Sequence, residues 1–303
     1  MPTWAWIPIT LFAVMMQTVR TAGQKQLAGH LDPVTVTLVR YLFGLPFVLL
    51  YLLVVMQAFD LALPAFNSTF LIFATLSALT QIGATILLIY LFSLRNFAVG
   101  TTYARTEAFL TALVGALVFG EFISPLGWLA IVISVAGLVI LTLARSDIDG
   151  AHLLQRLFSR PALVGLGCGL LFAVCSLSLR RASLSFGLNN ALFSAGLTLV
   201  YMVILQTLSM LAYLLWRRPA QLTTMLRHTR LCGFVGLTSA LGSMGWFVAM
   251  TLERASYVKA LGQIEFLLAL GVSHLFFREH TQRLELAGML LIASGILVLL
   301  FAR

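Results

Sequence analysis

Apolar runs of about 20 residues recur along the chain, parted by short polar breaks. A run of that length spans the hydrocarbon core of a bilayer as a helix. Ten such spans are predicted, at 4–28, 34–56, 69–94, 100–119, 124–144, 162–183, 190–216, 231–252, 257–277 and 284–302. The breaks hold turn and cap residues: Asp32-Pro33, Pro64 to Asn67, Ser124-Pro125, Arg160-Pro161, Asn189-Asn190 and Arg218-Pro219. The longest break, Arg145 to Arg160, divides five runs from five. The predicted fold class is an all-α polytopic membrane protein.

Two of these runs carry charge inside. The stretch Gly100 to Glu121 holds Arg105 and Glu107, and Val258 to Glu279 holds Lys259 and Glu265. They are related by a fixed offset: Glu107 and Glu265, Glu121 and Glu279, and Gly137 and Gly295 each lie 158 positions apart, with no gap. Acids and a glycine in register over about three spans point to an internal duplication. Five spans per repeat is an odd number, so the second repeat inserts upside down relative to the first. The expectation is two inverted five-helix repeats, 1–146 and 160–303, fused into one membrane domain. Such inverted repeats place a substrate site near the midplane, at their interface.

The polar positions inside spans follow helical faces. Gln17, Arg20 and Gln24 share one face of the first span. Either they lie in a wet loop beyond Val19, or a long helix turns this stripe toward a cavity. Arg40, about two turns into the second span, either snorkels to the interface or pairs with an intramembrane acid. Ser77, Gln81 and Thr85 share a face of the third span, and the offset maps Thr80, Gln81 and Thr85 onto Thr238, Ser239 and Ser243 of the eighth. In a straight fourth helix Arg105 and Glu107 point to different sides, with Tyr103 beside Glu107. In a straight ninth helix Lys259 and Gln263 share a face while Glu265 points elsewhere. Trp246, in the small and polar eighth span, either stacks on a flat or cationic ligand or anchors at the interface.

Composition narrows the classes. The chain is 60% hydrophobic and 10% charged, against about 25% charged in a soluble domain. The formal charge of +9 lies in short loops between apolar runs, which argues against nucleic acid as a partner. Cys168, Cys175 and Cys232 lack metal-ligand or redox spacing and read as small packed residues. No GxxxxGK[ST] motif is present to bind a nucleotide. No cofactor, metal or catalytic residue is expected, and the chain is not expected to be an enzyme.

At this level the chain resembles the drug/metabolite transporter superfamily, and within it the EamA-like ten-span transporters. The resemblance rests on the two five-span halves and on Gly120-Glu121 and Arg278-Glu279, followed by Gly127 with Gly137 and Gly288 with Gly295. Where many members carry a proline early in the fourth and ninth spans, this chain has Thr106-Glu107 and Ile264-Glu265. The resemblance implies a secondary transporter in a cell membrane, such as a bacterial inner membrane. It would export a small polar, amino-acid-like or organic-cation compound. The alternatives are a passive channel and an intramembrane enzyme.

The expected cavity wall is Gln17, Arg20, Gln81, Tyr103, Glu107, Trp246, Gln263 and Glu265, with Arg105 and Lys259 as neighbouring cations. The expected partners are lipid, a small-molecule substrate and a proton. Burial favours the protonated form of a carboxyl and a nearby cation opposes it. Of the two acids, the one beside a cation is therefore expected to be a strut, and the other the proton carrier. Orientation is open. Twelve of the 19 cations fall in loops opposite the N-terminus and four on its side, which places both termini outside by the positive-inside rule. The resemblance implies the reverse.

Overall fold

The computed structural model describes residues 2, 4–93, 107–145, 160–265 and 283–301, and among these it is helical with no strand. In chain order the helices are α1 (Trp6–Leu27), α2 (Pro33–Leu42), α3 (Leu45–Ala58), α4 (Ser68–Ser93), α5 (Glu107–Val118) and α6 (Pro125–Arg145). The second half contributes α7 (Arg160–Leu184), α8 (Ala191–Arg217), α9 (Pro219–Arg227), α10 (Thr229–Leu252), α11 (Ala255–Gly262) and α12 (Arg283–Phe301). Among the described residues, five stretches are long and apolar enough to cross a membrane: Pro33–Ala58, Ser68–Leu91, Leu163–Leu184, Ala191–Arg217 and Thr229–Leu252. Shorter apolar stretches lie at 107–118, 125–137 and 286–298. The 22-residue α1 is long enough, but its polar stripe dilutes its hydropathy.

The helix starts follow from local chemistry. Asp32 accepts from the Thr35 backbone N–H at 2.8 Å and Pro33 opens α2. Asn190 caps α8 by accepting from Phe193 N at 3.2 Å. Asp32 and Asn190 are themselves 158 positions apart. Asn67 caps α4 through Phe70 N at 2.7 Å and also donates to Ser185 O at 3.0 Å, tying two loops of different halves. Each cap satisfies an otherwise orphaned donor of the first turn.

Three details depart from the expected spans. The second span is two helices, because Pro46 lacks the N–H that would continue α2. Gly44 sits at that break, where a Cβ would stand 2.6 Å from Arg40 O. A short surface helix, α9, follows Pro219 where only a turn is expected. The described part of the ninth span stops being regular at Gly262, where Gln263 N turns back to Ala260 O at 3.2 Å. The remainder of the ninth span and the Arg145–Arg160 connection lie outside the described residues.

The burial pattern is that of a protein whose outer solvent is apolar. Leu50, Ile72, Leu117 and Leu208 are exposed, while Arg20, Arg40, Gln24, Gln206, Gln263 and Glu265 are buried. Water on the outside would select the opposite arrangement. The longest interhelical seams join first-half helices to second-half ones: α1 packs on α10, α4 on α7 and α6 on α12. On the last seam Gly137 and Gly295 bring backbones together. A Cβ on Gly137 would stand 2.7 Å from Gly288 O and Ile292 N, and one on Gly295 would stand 2.8 Å from Ala130 O.

Candidate functional site

Between the helices of the two halves lies a cavity of about 100 Å³. α1 contributes Gln17, Arg20 and Thr21. α2 contributes Arg40, α4 Gln81 and Leu88, α5 Glu107, α7 Phe172 and Cys175, α10 Ser243 and Trp246, and α11 Lys259. A smaller cavity of about 30 Å³ adjoins it, lined by Gln263 and Glu265 and sharing Gln17, Glu107, Trp246 and Lys259 with the first. α1 runs on past Val19 to Leu27 with Arg20 and Gln24 buried, so the stripe belongs to a long helix and not to a wet loop.

The two acids have different partners. Lys259 Nζ stands 2.5 Å from Glu107 Oε1, with both side chains largely buried. The same ammonium lies over the Trp246 ring, 4.7 Å from its centroid. Trp246 is buried, which removes the interfacial-anchor reading and leaves its face to a cation. Its ring is pressed against the backbone of Gly262, where a Cβ would come within 2.6 Å. Glu265 Oε2 accepts from Gln17 Nε2 at 3.2 Å. A straight ninth helix would turn Glu265 away from Gln263 and Lys259. In the structure all three line the smaller cavity.

Arg40 neither snorkels outward nor meets an acid among the described residues. Its two terminal nitrogens donate to Thr85 Oγ1 at 3.2 Å and Ser243 Oγ at 3.4 Å. Those two hydroxyls are 158 positions apart, so one side chain serves equivalent positions of both halves. Gln81 is held by Gln206, whose amide donates to Gln81 Oε1 at 2.8 Å and Ala78 O at 3.0 Å. The structure therefore brings together Gln17, Arg20, Gln81, Glu107, Trp246, Lys259, Gln263 and Glu265. Tyr103 and Arg105 lie outside the described residues.

The α7 contribution and Arg40's link to hydroxyls are missing from the sequence reading, and the offset was the signal that could have found the first. Cys175 is the equivalent of Gln17, Leu179 of Thr21, and Trp246 of Leu88, and each of the six lines the cavity. The duplication preserved positions but not chemistry, so a search for repeated polar residues passes over them.

A second charged cluster closes the end of the bundle on the N-terminal side. Gly120, at φ +65°, ends α5 and turns the chain, so that Glu121 reaches across to α7. There Arg180 Nε meets Glu121 Oε1 at 3.3 Å. Arg180 also donates to Met250 O at 2.6 Å and to Glu253 O. Arg180 thus belongs to α7 and not to a loop. Burial pushes the Glu121 carboxyl above its ordinary range, and Arg180 opposes the shift. Beside it, the Ser183 and Thr251 hydroxyls share a hydrogen bond of 2.7 Å.

The EamA-like transporter family matches over residues 4–143. No curated protein matches the chain. A crystal structure of another protein superposes with a TM-score of 0.70 at 14% identity, covering 99% of each chain, so the fold is shared along the whole length. What that match shows is a likeness of residues 4–143, from α1 into α6, to a family of membrane transporters, as the sequence led one to expect.

Proposed function

We propose that the chain is a proton-coupled secondary transporter, an exporter, that moves a small polar metabolite by alternating access. It would do so through ten spans arranged as two inverted repeats, 1–146 and 160–303. The observation that carries this reading is the buried polar cavity whose walls come from both halves, with Glu107–Lys259 and Gln17–Glu265 each joining one half to the other. Buried ionisable groups inside a membrane bundle mark pathways and relays.

The helix pairings support the inverted repeat. Exchanging the halves turns the α1–α10 seam into the α7–α4 seam, and maps the α6–α12 seam onto itself. Within this reading Glu107 is the strut, since its partner is a cation. Glu265, which accepts a hydrogen bond from Gln17, is assigned the proton. Its partner Gln17 suits that role, because an amide donates to a carboxylate and, turned over, accepts from a carboxylic acid.

Counterflow in proteoliposomes tests the proposal. Vesicles loaded with unlabelled substrate should concentrate the labelled form transiently, and an imposed proton gradient should drive net accumulation. Simple equilibration of label without overshoot would mean an open pore.

A further inference from the structure

We infer that the cavity takes a small organic anion, with its charged group held on the guanidinium of Arg40. The inference rests on the transporter reading only for what the anion does next; its binding stands on the cavity alone.

Charge balance is the first support. Among the described residues that line the two adjoining cavities, the charged ones are Arg20, Arg40, Lys259, Glu107 and Glu265. Lys259 is committed to Glu107. Arg40 is 6% exposed and its hydrogen-bond partners are two neutral hydroxyls. Arg40 thus has no acidic partner among the described residues; burying such a cation is unfavourable in a low-dielectric interior, and an incoming anion relieves that cost. Filling the cavity with an organic cation, as the resemblance allowed, would increase it.

Geometry is the second support. A guanidinium has five N–H donors in a planar fork. Thr85 and Ser243 take two, one on each terminal nitrogen, which leaves three and fixes the plane of the group. A fork held in this way matches a carboxylate or a phosphate bidentately. The third support lies beyond Arg40. Trp246 Nε1 and both side-chain amide atoms of Gln263 are buried without a hydrogen-bond partner among the described residues. Such groups are usually satisfied in a native protein, and a ligand with polar atoms would satisfy them.

Four probes of equal length, butyrate, propylphosphonate, butyramide and butylammonium, test this by the melting temperature of the full chain in lipid nanodiscs. Butyrate or propylphosphonate should raise it in a saturable way, and which of the two does so separates carboxylate from phosphate. Butyramide and butylammonium should not. R40Q keeps polar contact with Thr85 and Ser243 but loses the charge, and should raise the half-saturating concentration at least tenfold. R40K keeps the charge but loses the fork, and should fall between. Stabilisation by butylammonium, none by either anion, or an unchanged response in R40Q or R40K would overturn the inference. The same anion tested in counterflow separates the two readings. Binding without exchange leaves the anion site standing and removes transport. Exchange of an uncharged or cationic substrate that ignores Arg40→Gln keeps transport and removes the site.

Discussion

Lys259 on α11 and Glu107 on α5 meet at 2.5 Å, and this ion pair joins the two halves of the chain inside the bundle. Removing one partner leaves the other charge buried, at a cost of about 3–5 kcal/mol. Glu107→Gln and Lys259→Gln should each reduce folded protein in the membrane, read as monodisperse material on size-exclusion chromatography. The double variant should recover most of the loss, because it leaves no orphaned charge. Equal loss in the single and double variants would show that the pair is not the source of the effect.

Glu265 should behave differently, on the proposal that it carries the proton. Glu265→Gln keeps the shape of the side chain and a hydrogen bond to Gln17. In proteoliposomes it should abolish accumulation driven by a proton gradient while leaving exchange measurable. An unchanged dependence of accumulation on the gradient would remove Glu265 from the coupling.

The α6–α12 seam should be intolerant of added volume. A Cβ at Gly137 or Gly295 would meet backbone atoms at 2.7–2.8 Å, which cannot move aside as a side-chain tip can. Gly137→Ala and Gly295→Ala should each destabilise by about 1–3 kcal/mol. The double variant should cost less than the sum, since one displacement of the helices relieves both. Thermal denaturation of the three variants measures this directly.

The Glu121 carboxyl predicts a pH effect. Burial raises its folded pKa above the ordinary value of 4.5. Between 4.5 and the raised value the folded protein holds the proton that the unfolded chain has lost. Stability from this group is therefore greatest at the acid end and falls as pH rises through that window. Melting temperatures of the parent chain should show this decline from pH 4.5 upward, and Glu121→Gln should flatten it. A decline of the same size in both would assign it to other groups.

The apolar runs made most of the helices legible, since α4 and α8 are long uninterrupted stretches whose ends carry Asn67, Asn190 and Arg218-Pro219. The stripe Gln17, Arg20, Gln24 was legible as a face because α1 is regular throughout. Two breaks were not. Residues 43–44 and Gly262-Gln263 interrupt runs whose hydropathy is continuous, and composition alone does not register a change of helix direction. Glu265 was legible as a wall residue, but not its hydrogen bond to Gln17. Cys175 escaped for another reason: the cavity uses it by position, while its side chain carries none of the polarity that marks its equivalent, Gln17.

The packing of α1 on α10, α4 on α7 and α6 on α12 has a consequence for biosynthesis. α1 is complete once residue 27 is made, but its partner is complete only at residue 252. At about 5–20 residues per second, roughly 10 to 45 s of translation separate the two. Throughout that interval the face of α1 bearing Ala13, Gln17 and Gly23 has been inserted without the helix that will pack on it. The nascent first half must therefore be sheltered, by the insertion machinery or by a wet groove in the bilayer, until ribosomes have delivered most of the second.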